Sequence, residues 1–242
     1  MAVLSALILA AAGAVFWLTL PSAEPLRRAN PATTALMEAR QREARKKGRA
    51  SRHNQHWVPL SRISPWLREA VINSEDARFF EHEGIDVEQT KIALTDAMEE
   101  GRFHRGASTI TQQLAKNLWL GEERTLWRKL REAILARRLE ALGKRRILEL
   151  YLNVAEWGDG IYGADAAARV WFGKPAADLL PEESAILAAM LPAPRKRNPV
   201  RPSPALRRRA HEVLYLYSLY HELSEQDLEQ ARWRLDSILG SP

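Results

Sequence analysis

Two adjacent carboxylates, Glu75 and Asp76, close an apolar stretch of the chain and are followed by two aromatic residues, Phe79 and Phe80. A carboxylate beside aromatic rings loses part of its hydration, which favours its neutral form and raises its proton affinity. Such a group can act as a general base near neutral pH. The alternative is a helix end with solvated acids. His82 is interpreted as a structural, hydrogen-bonding histidine.

A second polar cluster follows, where small and hydroxyl-bearing residues precede a helix. The free N–H groups at a helix start can bind an anion. Gln112 and Gln113 lie four and three residues before Lys116, so these side chains share a face. Amide groups with one ammonium group suit a sugar or a phosphate, and Ser108 belongs to the polar entry of the same helix. The alternative is an N-capped polar helix on the surface.

The third cluster is basic. Arg124, Arg128 and Glu132 recur every four residues and line one face of a predicted helix, and Lys129 lies three residues before Glu132. A carboxylate among cations stays ionised, and guanidinium groups match phosphate oxygens in pairs. The cluster therefore fits a pyrophosphate. The alternative is a salt-bridged, solvated helix.

The fourth cluster covers residues 144–163, where Tyr151 and Asn153 close a helix before the glycine-rich segment WGDGIYG. Glycine permits close approach of the backbone to another group. For Tyr151 taken alone, packing in the core is the favoured interpretation.

A mainly α-helical scaffold is predicted to position these clusters, because hydrophobic residues recur at helical spacing from Trp57 onward. No internal repeat and no convincing strand alternation is visible. Residues 192–204 are rich in proline and arginine and are expected to be irregular. Helices are predicted over residues 34–50, 65–75, 87–100, 108–118, 125–142, 144–154, 164–171, 181–191, 205–222 and 224–239.

The composition bounds the class of protein. The 242 residues suffice for one sizeable core, or for one domain with an anchor. Lys and Arg number 36 against 30 Asp and Glu, for a net charge of +6. A positive net charge suits a partner such as nucleic acid, a membrane surface or a phosphorylated substrate. The alternative is a solvated basic face without a partner. The absence of cysteine excludes disulfides, thiolate chemistry and cysteine-based metal sites.

An apolar, uncharged run over residues 2–20 is long enough to span a hydrocarbon core. A retained anchor is favoured over a cleaved signal peptide, because the start is not basic and the run exceeds a usual signal core. Arg27 and Arg28 follow it, which by charge alone keeps the C-terminal part cytoplasmic. Residues 21–56 form a basic juxtamembrane segment, either a patch for anionic lipid head groups or a solvated helix.

Together the four clusters resemble the glycosyltransferase family 51 domain, found in class A penicillin-binding proteins and in monofunctional biosynthetic peptidoglycan transglycosylases. The resemblance covers roughly residues 57–200, and because the chain ends at residue 242, the monofunctional type without a transpeptidase domain is expected. One departure is Ala107, a mild change where many relatives carry glycine. The matching blocks are SEDARFFEHEGID, GASTITQQLAKN, RKLREAILARRLE, KRRILELYLN with GIYGADAAARVWFGK, and ESAILAAMLPAPRKRNP.

The resemblance implies a lysozyme-like helical glycosyltransferase domain over residues 57–242, with a smaller membrane-proximal lobe, behind a transmembrane helix over residues 1–20. It implies lipid II and the growing glycan chain as substrates. It also implies a single-pass protein of the bacterial inner membrane with a periplasmic domain. This placement takes precedence over the charge count, because the sugars of the substrate are displayed outside. Membrane lipid and other cell wall synthases are further expected partners, and nucleic acid is not.

The resemblance also implies roles for individual residues. Glu75 is expected to be the base that deprotonates the acceptor's 4-hydroxyl, so that an α-linked donor becomes a β-1,4 link and undecaprenyl pyrophosphate leaves. Glu132 is expected to be a second catalytic residue that supports the pyrophosphate. No cofactor is expected to be required, although a divalent ion, Mg²⁺ or Mn²⁺, can lie near Glu132. The positions expected to bind substrate are Ser108, Gln112, Gln113, Lys116, Asn117, Arg124, Arg128, Lys129, Tyr151 and Asn153.

Two other functions stay open at this point. A lysozyme-type hydrolase also uses a carboxylate pair flanking a sugar. The cations around Glu132 argue against it, because hydrolysis of a glycosidic bond releases no pyrophosphate. A membrane-anchored binding protein would use its basic face for nucleic acid or anionic lipid, and its binding would fall steeply with salt.

Overall fold

The computed structural model describes residues 2–100, 108–121, 123, 125–220 and 223–240, apart from some side chains in the first and fourth helices. The expectation of a mainly α-helical fold is confirmed for these residues. The helices are α1 Ala2–Thr19, α2 Ala35–Lys46, α3 Pro65–Glu75, α4 Val87–Glu100, α5 Ile110–Trp119, α6 Leu126–Leu139, α7 Lys144–Val154, α8 Ala164–Phe172, α9 Pro181–Met190, α10 Pro204–Tyr220 and α11 Glu225–Leu239.

The helix α9 forms the centre of one half of the core. Nearly all of its residues are buried, and the stretch from Ala185 to Met190 is apolar throughout, as expected for a helix segment enclosed by its neighbours. Pro181 occupies the first turn, where its missing N–H costs no hydrogen bond. Glu183 accepts the backbone N–H of Leu180 at 2.8 Å, which closes the start of the helix. The helices α3, α10 and α11 pack around it.

The helix α5 organises the other half of the core. Its apolar face, with Ile110 and Leu114 fully buried, packs against α6, α7 and α2. The helix α7 contributes Ile147 and Leu150, which are also inaccessible to solvent. The chain leaves α6 through a 3-10 turn at Glu140–Leu142, so the predicted helix over 125–142 ends earlier than expected.

A small three-stranded sheet is present, although the sequence shows no convincing strand alternation. Its strands are β1 Asn54–Gln55, β2 Glu156–Gly158 and β3 Ile161–Tyr162, in the order β1-β3-β2. The strand β3 pairs parallel to β1 and antiparallel to β2. Strands of two or three residues are too short to show the alternation by which a strand is predicted. The predicted glycine-rich loop is therefore mostly a tight hairpin.

Residues 21–56 make extensive contacts with the rest of the protein. The guanidinium group of Arg146 donates to the carbonyls of Leu26 at 2.9 Å and Ala29 at 3.0 Å. The helix α2 packs on α5, and Arg40 in α2 donates to Glu156 at 2.9 Å. The boundary placed at residue 57 stays a prediction, although these contacts cross it.

The apolar N-terminal run is helical, as α1 from Ala2 to Thr19. Its C-terminal end is held by Arg138, which donates to the carbonyls of Trp17 at 2.5 Å and Leu20 at 2.8 Å. Among the residues and side chains that the structure describes, no helix meets the length and apolarity needed to cross a membrane.

Candidate active site

The carboxyl of Glu75 lies at the point where α3 ends. The chain leaves the helix at Asp76, whose φ of −166° is extended. The buried carboxylate of Asp76 accepts the backbone N–H of Ile110 at 2.9 Å and lies 2.9 Å from Nε2 of His82. Asp76 therefore ties the end of α3 to the start of α5, which places Glu75 beside that helix.

His82 has the structural role expected for it. Its Nδ1 accepts the backbone N–H of Gly84 at 3.2 Å, so its Nε2 carries the proton that faces Asp76. Gly84 has a φ of +91°, and a Cβ there would lie 3.0 Å from the carbonyl oxygen of Ala136. Only glycine suits both this conformation and this close approach.

A hydrogen-bonded chain positions the carboxyl of Glu75. The amide nitrogen of Gln113 donates to Oε2 of Glu75 at 2.9 Å. The hydroxyl of Tyr151 donates to the amide oxygen of Gln113, also at 2.9 Å. Burial, together with the charges of Glu75 and Asp76, raises the pKa of Tyr151 well above 10.0. The phenol therefore stays protonated and holds Gln113 with its amide nitrogen toward Glu75.

Burial raises the pKa of Glu75 above its ordinary value of 4.5. The hydrogen bond from Gln113 and the charges of Arg209 and Arg197 oppose this effect, and the charge of Asp76 reinforces it. A raised pKa strengthens a carboxylate as a proton acceptor. The geometry and the pKa therefore both suit a general base.

A second, cationic cluster surrounds the buried Glu132. The ammonium group of Lys129 donates to Oε1 of Glu132 at 2.5 Å, and the guanidinium group of Arg128 donates to Oε2. These three residues lie three and four positions apart on α6, so they share one face of that helix. Lys129 also donates to the hydroxyl of Ser108 at 3.0 Å.

Ser108 connects the two clusters. Its carbonyl lies 3.5 Å from the amide nitrogen of Gln113, which contacts Glu75, and its hydroxyl contacts Lys129. Glu75 and Ser108 also line a common cavity of about 200 Å³. The two glutamates that the sequence singles out therefore belong to one network.

A larger groove of about 760 Å³ begins at Gln113 and Tyr151. Lys116 and Asn117, both predicted to bind substrate, line it too. Its lining also includes Arg40, Glu156, Asp159 and the segment 191–196. A polar groove of this volume beside a carboxylate base can accommodate a saccharide.

The family model for transglycosylases matches residues 41–217, which is well over half of the chain. The chain belongs to the transglycosylase family. Three similar proteins are named biosynthetic peptidoglycan transglycosylase. That of Nitrosomonas eutropha is 45% identical over 186 residues, which are 76% of each chain. That of Laribacter hongkongensis is 48% identical over 69% of this chain and 73% of its own. That of Rhodospirillum centenum is 52% identical over 66% and 69%.

Two residues of this transglycosylase that are predicted to bind substrate, Gln112 and Asn153, do not line the groove and instead form hydrogen bonds within the fold. The amide of Gln112 forms a capping box with Thr109, accepting the Thr109 N–H at 3.1 Å. Asn153 is fully buried and bonds both backbone groups of Val58, at 3.0 Å and 2.9 Å. Arg124 and Ala107 lie outside the described residues.

The carboxylate of Glu132, near which a divalent ion is expected to be able to lie, is already paired with two cations in this transglycosylase. Both carboxylate oxygens already accept hydrogen bonds from cationic groups, which would repel a divalent ion. Within the described residues, no group of three or more His, Cys, Asp and Glu side chains is arranged to hold a metal. A divalent ion near Glu132 stays a prediction.

Two arginines beside the base were missed as candidate site residues. Arg209 in α10 donates to the carbonyl of Ser74 at 2.9 Å, and Arg197 donates to the carbonyl of Ala189. The charges of both lower the pKa of Glu75. Arg197 belongs to ESAILAAMLPAPRKRNP, one of the blocks that resemble the family, and this resemblance could have indicated it as a site residue. Arg209 belongs to a run of three arginines in which nothing distinguishes it.

Proposed function

We propose that this transglycosylase polymerises lipid II into β-1,4-linked glycan strands, with Glu75 as its general base. It is a peptidoglycan glycosyltransferase of cell wall synthesis, in keeping with the family and with its relatives. One observation supports the residue-level proposal above all others. Glu75 is held by Gln113 beside a groove of about 760 Å³ and is linked through Ser108 to the cations around Glu132.

The proton transfer is assigned to Glu75. Its carboxylate would accept the proton of the acceptor's 4-hydroxyl while that oxygen attacks the anomeric carbon of the donor strand. The amide of Gln113 occupies one side of Oε2 and so orients the carboxyl toward the remaining space. A raised pKa makes the proton transfer more favourable, because the acid formed is weaker.

The departure of the pyrophosphate is assigned to the cationic cluster. As the bond from the anomeric carbon to the phosphate oxygen breaks, negative charge grows on the pyrophosphate. Lys129 and Arg128 would stabilise that charge, since preformed cations stabilise a developing anion without reorganisation. Glu132 holds both cations in place, and Lys116 and Asn117 would contact the donor. A single displacement inverts the α-linked donor to a β link and forms no covalent enzyme intermediate.

The proposed site of action is the outer face of the bacterial inner membrane. Peptidoglycan synthesis makes this an enzyme of the cell envelope. The apolar, uncharged composition of residues 2–20 supports a single membrane anchor. The catalytic domain would then be periplasmic, in contact with membrane lipid and with other cell wall synthases.

One assay distinguishes this proposal from a hydrolase. The purified full-length protein is incubated in detergent with lipid II and, separately, with finished glycan strands. The products are separated by length. We expect lipid II to be converted to long strands and finished glycan to stay unchanged. Shortening of the glycan without polymerisation of lipid II would overturn the proposal.

A further inference from the structure

A third cavity, of about 430 Å³, lies between α2 and the hairpin of β2 and β3. We name it the cationic pocket, because basic side chains dominate its wall. Its charged residues are Arg40, Lys47, Arg49, Arg52 and Arg195, with Glu43 and Asp159.

The pocket keeps a net positive charge after its internal ion pairs are counted. Five cations face two acids, an excess of three. Glu43 contacts Lys47 at 2.6 Å and Arg195 at 2.8 Å. Glu156 pairs with Arg40 from the neighbouring groove, which lowers the excess to two. Arg49 and Arg52 are exposed, and the nearest acid to Arg52 is Asp159 at 3.8 Å.

The cationic pocket continues the groove that starts at the base. Arg40, Asp159 and Arg195 line both cavities, so the two share a wall. The same groove is lined by Gln113, which donates a hydrogen bond to Glu75. A substrate that places a sugar beside Glu75 can therefore extend a substituent along the groove and into the pocket.

We propose that the cationic pocket binds the carboxylates of the peptide carried by the lipid-linked substrate. This inference rests on the proposed function, because a peptidoglycan precursor carries a short peptide with free carboxylates on one of its sugars. Carboxylates are the ligands that guanidinium groups recognise best after phosphates. The pocket would hold the peptide clear of the reacting sugar and favour substrates that carry those charges.

The geometry favours the substrate over a membrane surface as the source of the anion. The helix α2 packs on α5 and sends Arg40 to the buried Glu156, so this face of α2 is a wall of the groove. The hairpin closes the pocket, since a Cβ on Gly160 would lie 2.5 Å from the Cβ of Arg52. Basic residues that lie outside the pocket, such as Arg45 and Lys46, are exposed on the same helix.

The test uses the full-length protein and two lipid II substrates, one with free peptide carboxylates and one with these groups converted to carboxamides. For the wild type, we expect KM to be about fivefold higher for the carboxamide form, the size of a few exposed ion pairs. In the double variant Arg49→Gln/Arg52→Gln, KM for the carboxylate form should rise by the same factor. Its KM for the carboxamide form and both kcat values should stay unchanged.

The matched control is Arg45→Gln/Lys46→Gln. It also removes two positive charges, but from residues of α2 that do not line the pocket. It should keep the wild-type preference between substrates. An equal loss in the control, or an equal rise in KM for both substrates, would overturn the proposal.

A second arm measures binding to phosphatidylglycerol and phosphatidylcholine vesicles, where both double variants should bind alike. A larger loss for Arg49→Gln/Arg52→Gln, with normal KM in detergent, would assign the pocket to the membrane and overturn the proposal. A wild type that polymerises neither substrate would instead contradict the proposed function.

Discussion

The pKa of Glu75, which determines how well it acts as a base, is raised by some of its surroundings and lowered by others. Burial raises its pKa, while Gln113, Arg209 and Arg197 lower it. The base is active when deprotonated, so activity should be present above the folded-state pKa and lost as pH falls through it. Because that pKa is raised, the acid limb of the activity profile should lie above the ordinary titration range of a glutamate.

Replacement of Gln113 by Met should shift this acid limb to higher pH. The substitution removes the hydrogen bond that lowers the pKa of Glu75, so the carboxyl should protonate at a higher pH. The maximal kcat should also fall, by about tenfold to a hundredfold, because the carboxyl is no longer oriented. The measurement is the pH dependence of kcat for both proteins. An acid limb that stays in place or moves to lower pH would contradict the role of Gln113.

At the residue scale, the sequence identified the chemical groups better than their orientation. Glu75, Lys129 and Glu132 are in contact networks as expected. Both Gln112 and Gln113 are expected from the sequence to bind substrate. The spacing from Thr109 to Gln112 is that of a capping box, which assigns Gln112 to the helix start. Arg209 could not be predicted, because its position beside Glu75 depends on how α10 packs.

At the scale of elements, one junction determines the geometry of the site. The end of α3 carries Glu75 and the start of α5 carries Ser108 and Gln113. Asp76 bonds Ile110 across this junction, and the Thr109 hydroxyl donates to the carbonyl of Gly84 at 2.6 Å. These buried bonds are expensive to break, because the N–H of Ile110 and the carbonyl of Gly84 would each lose a buried hydrogen-bond partner.

Replacement of Thr109 by Val should therefore destabilise the protein by about 2 kcal/mol, since it removes both a helix cap and the partner of a buried carbonyl. The activity should fall as well, because Ser108 and Gln113 would shift. Thermal unfolding in detergent measures the first effect. Thr125→Val, which removes the exposed N-cap of α6, is the matched control and should cost less. Equal destabilisation by the two variants would remove the special role of the α3–α5 junction.

Helices were predictable from sequence and the small sheet was not. Apolar spacing and caps located α3, α5 and α7 within a few residues of their bounds. The strands β1 and β3 lie more than 100 residues apart, and their pairing depends on long-range packing that no local pattern records.

At the scale of the whole molecule, the segment between the apolar helix and the catalytic core is folded against that core. Arg27 donates to the carbonyl of Ala141 at 2.8 Å, and Arg138 binds the C-terminal end of α1. A charge count treats Arg27 as a free juxtamembrane cation, whereas the structure gives it a partner in the domain. The segment is therefore suited to fix the orientation of the groove relative to α1.

Replacement of Arg138 by Gln should loosen this connection. The carbonyls of Trp17, Leu20 and Pro21 would lose a donor, and because these hydrogen bonds are exposed or only partly buried, the cost should be about 1 kcal/mol. With the proposed anchor in a bilayer, polymerisation in vesicles should fall more than polymerisation in detergent. Arg137→Gln, which alters the adjacent cation that pairs with Glu83, is the control. Equal losses in the two media would argue against an orienting role.

The most direct test of the account is the rate of lipid II polymerisation by Glu75→Gln. Glutamine keeps the shape of the side chain and can still accept the hydrogen bond from Gln113, but it cannot take up the proton. We predict that kcat falls by at least about a hundredfold. The unfolding temperature should be no lower than that of the wild type, and the variant should still bind lipid II. A variant that folds, binds lipid II and polymerises it at the wild-type rate would contradict the account.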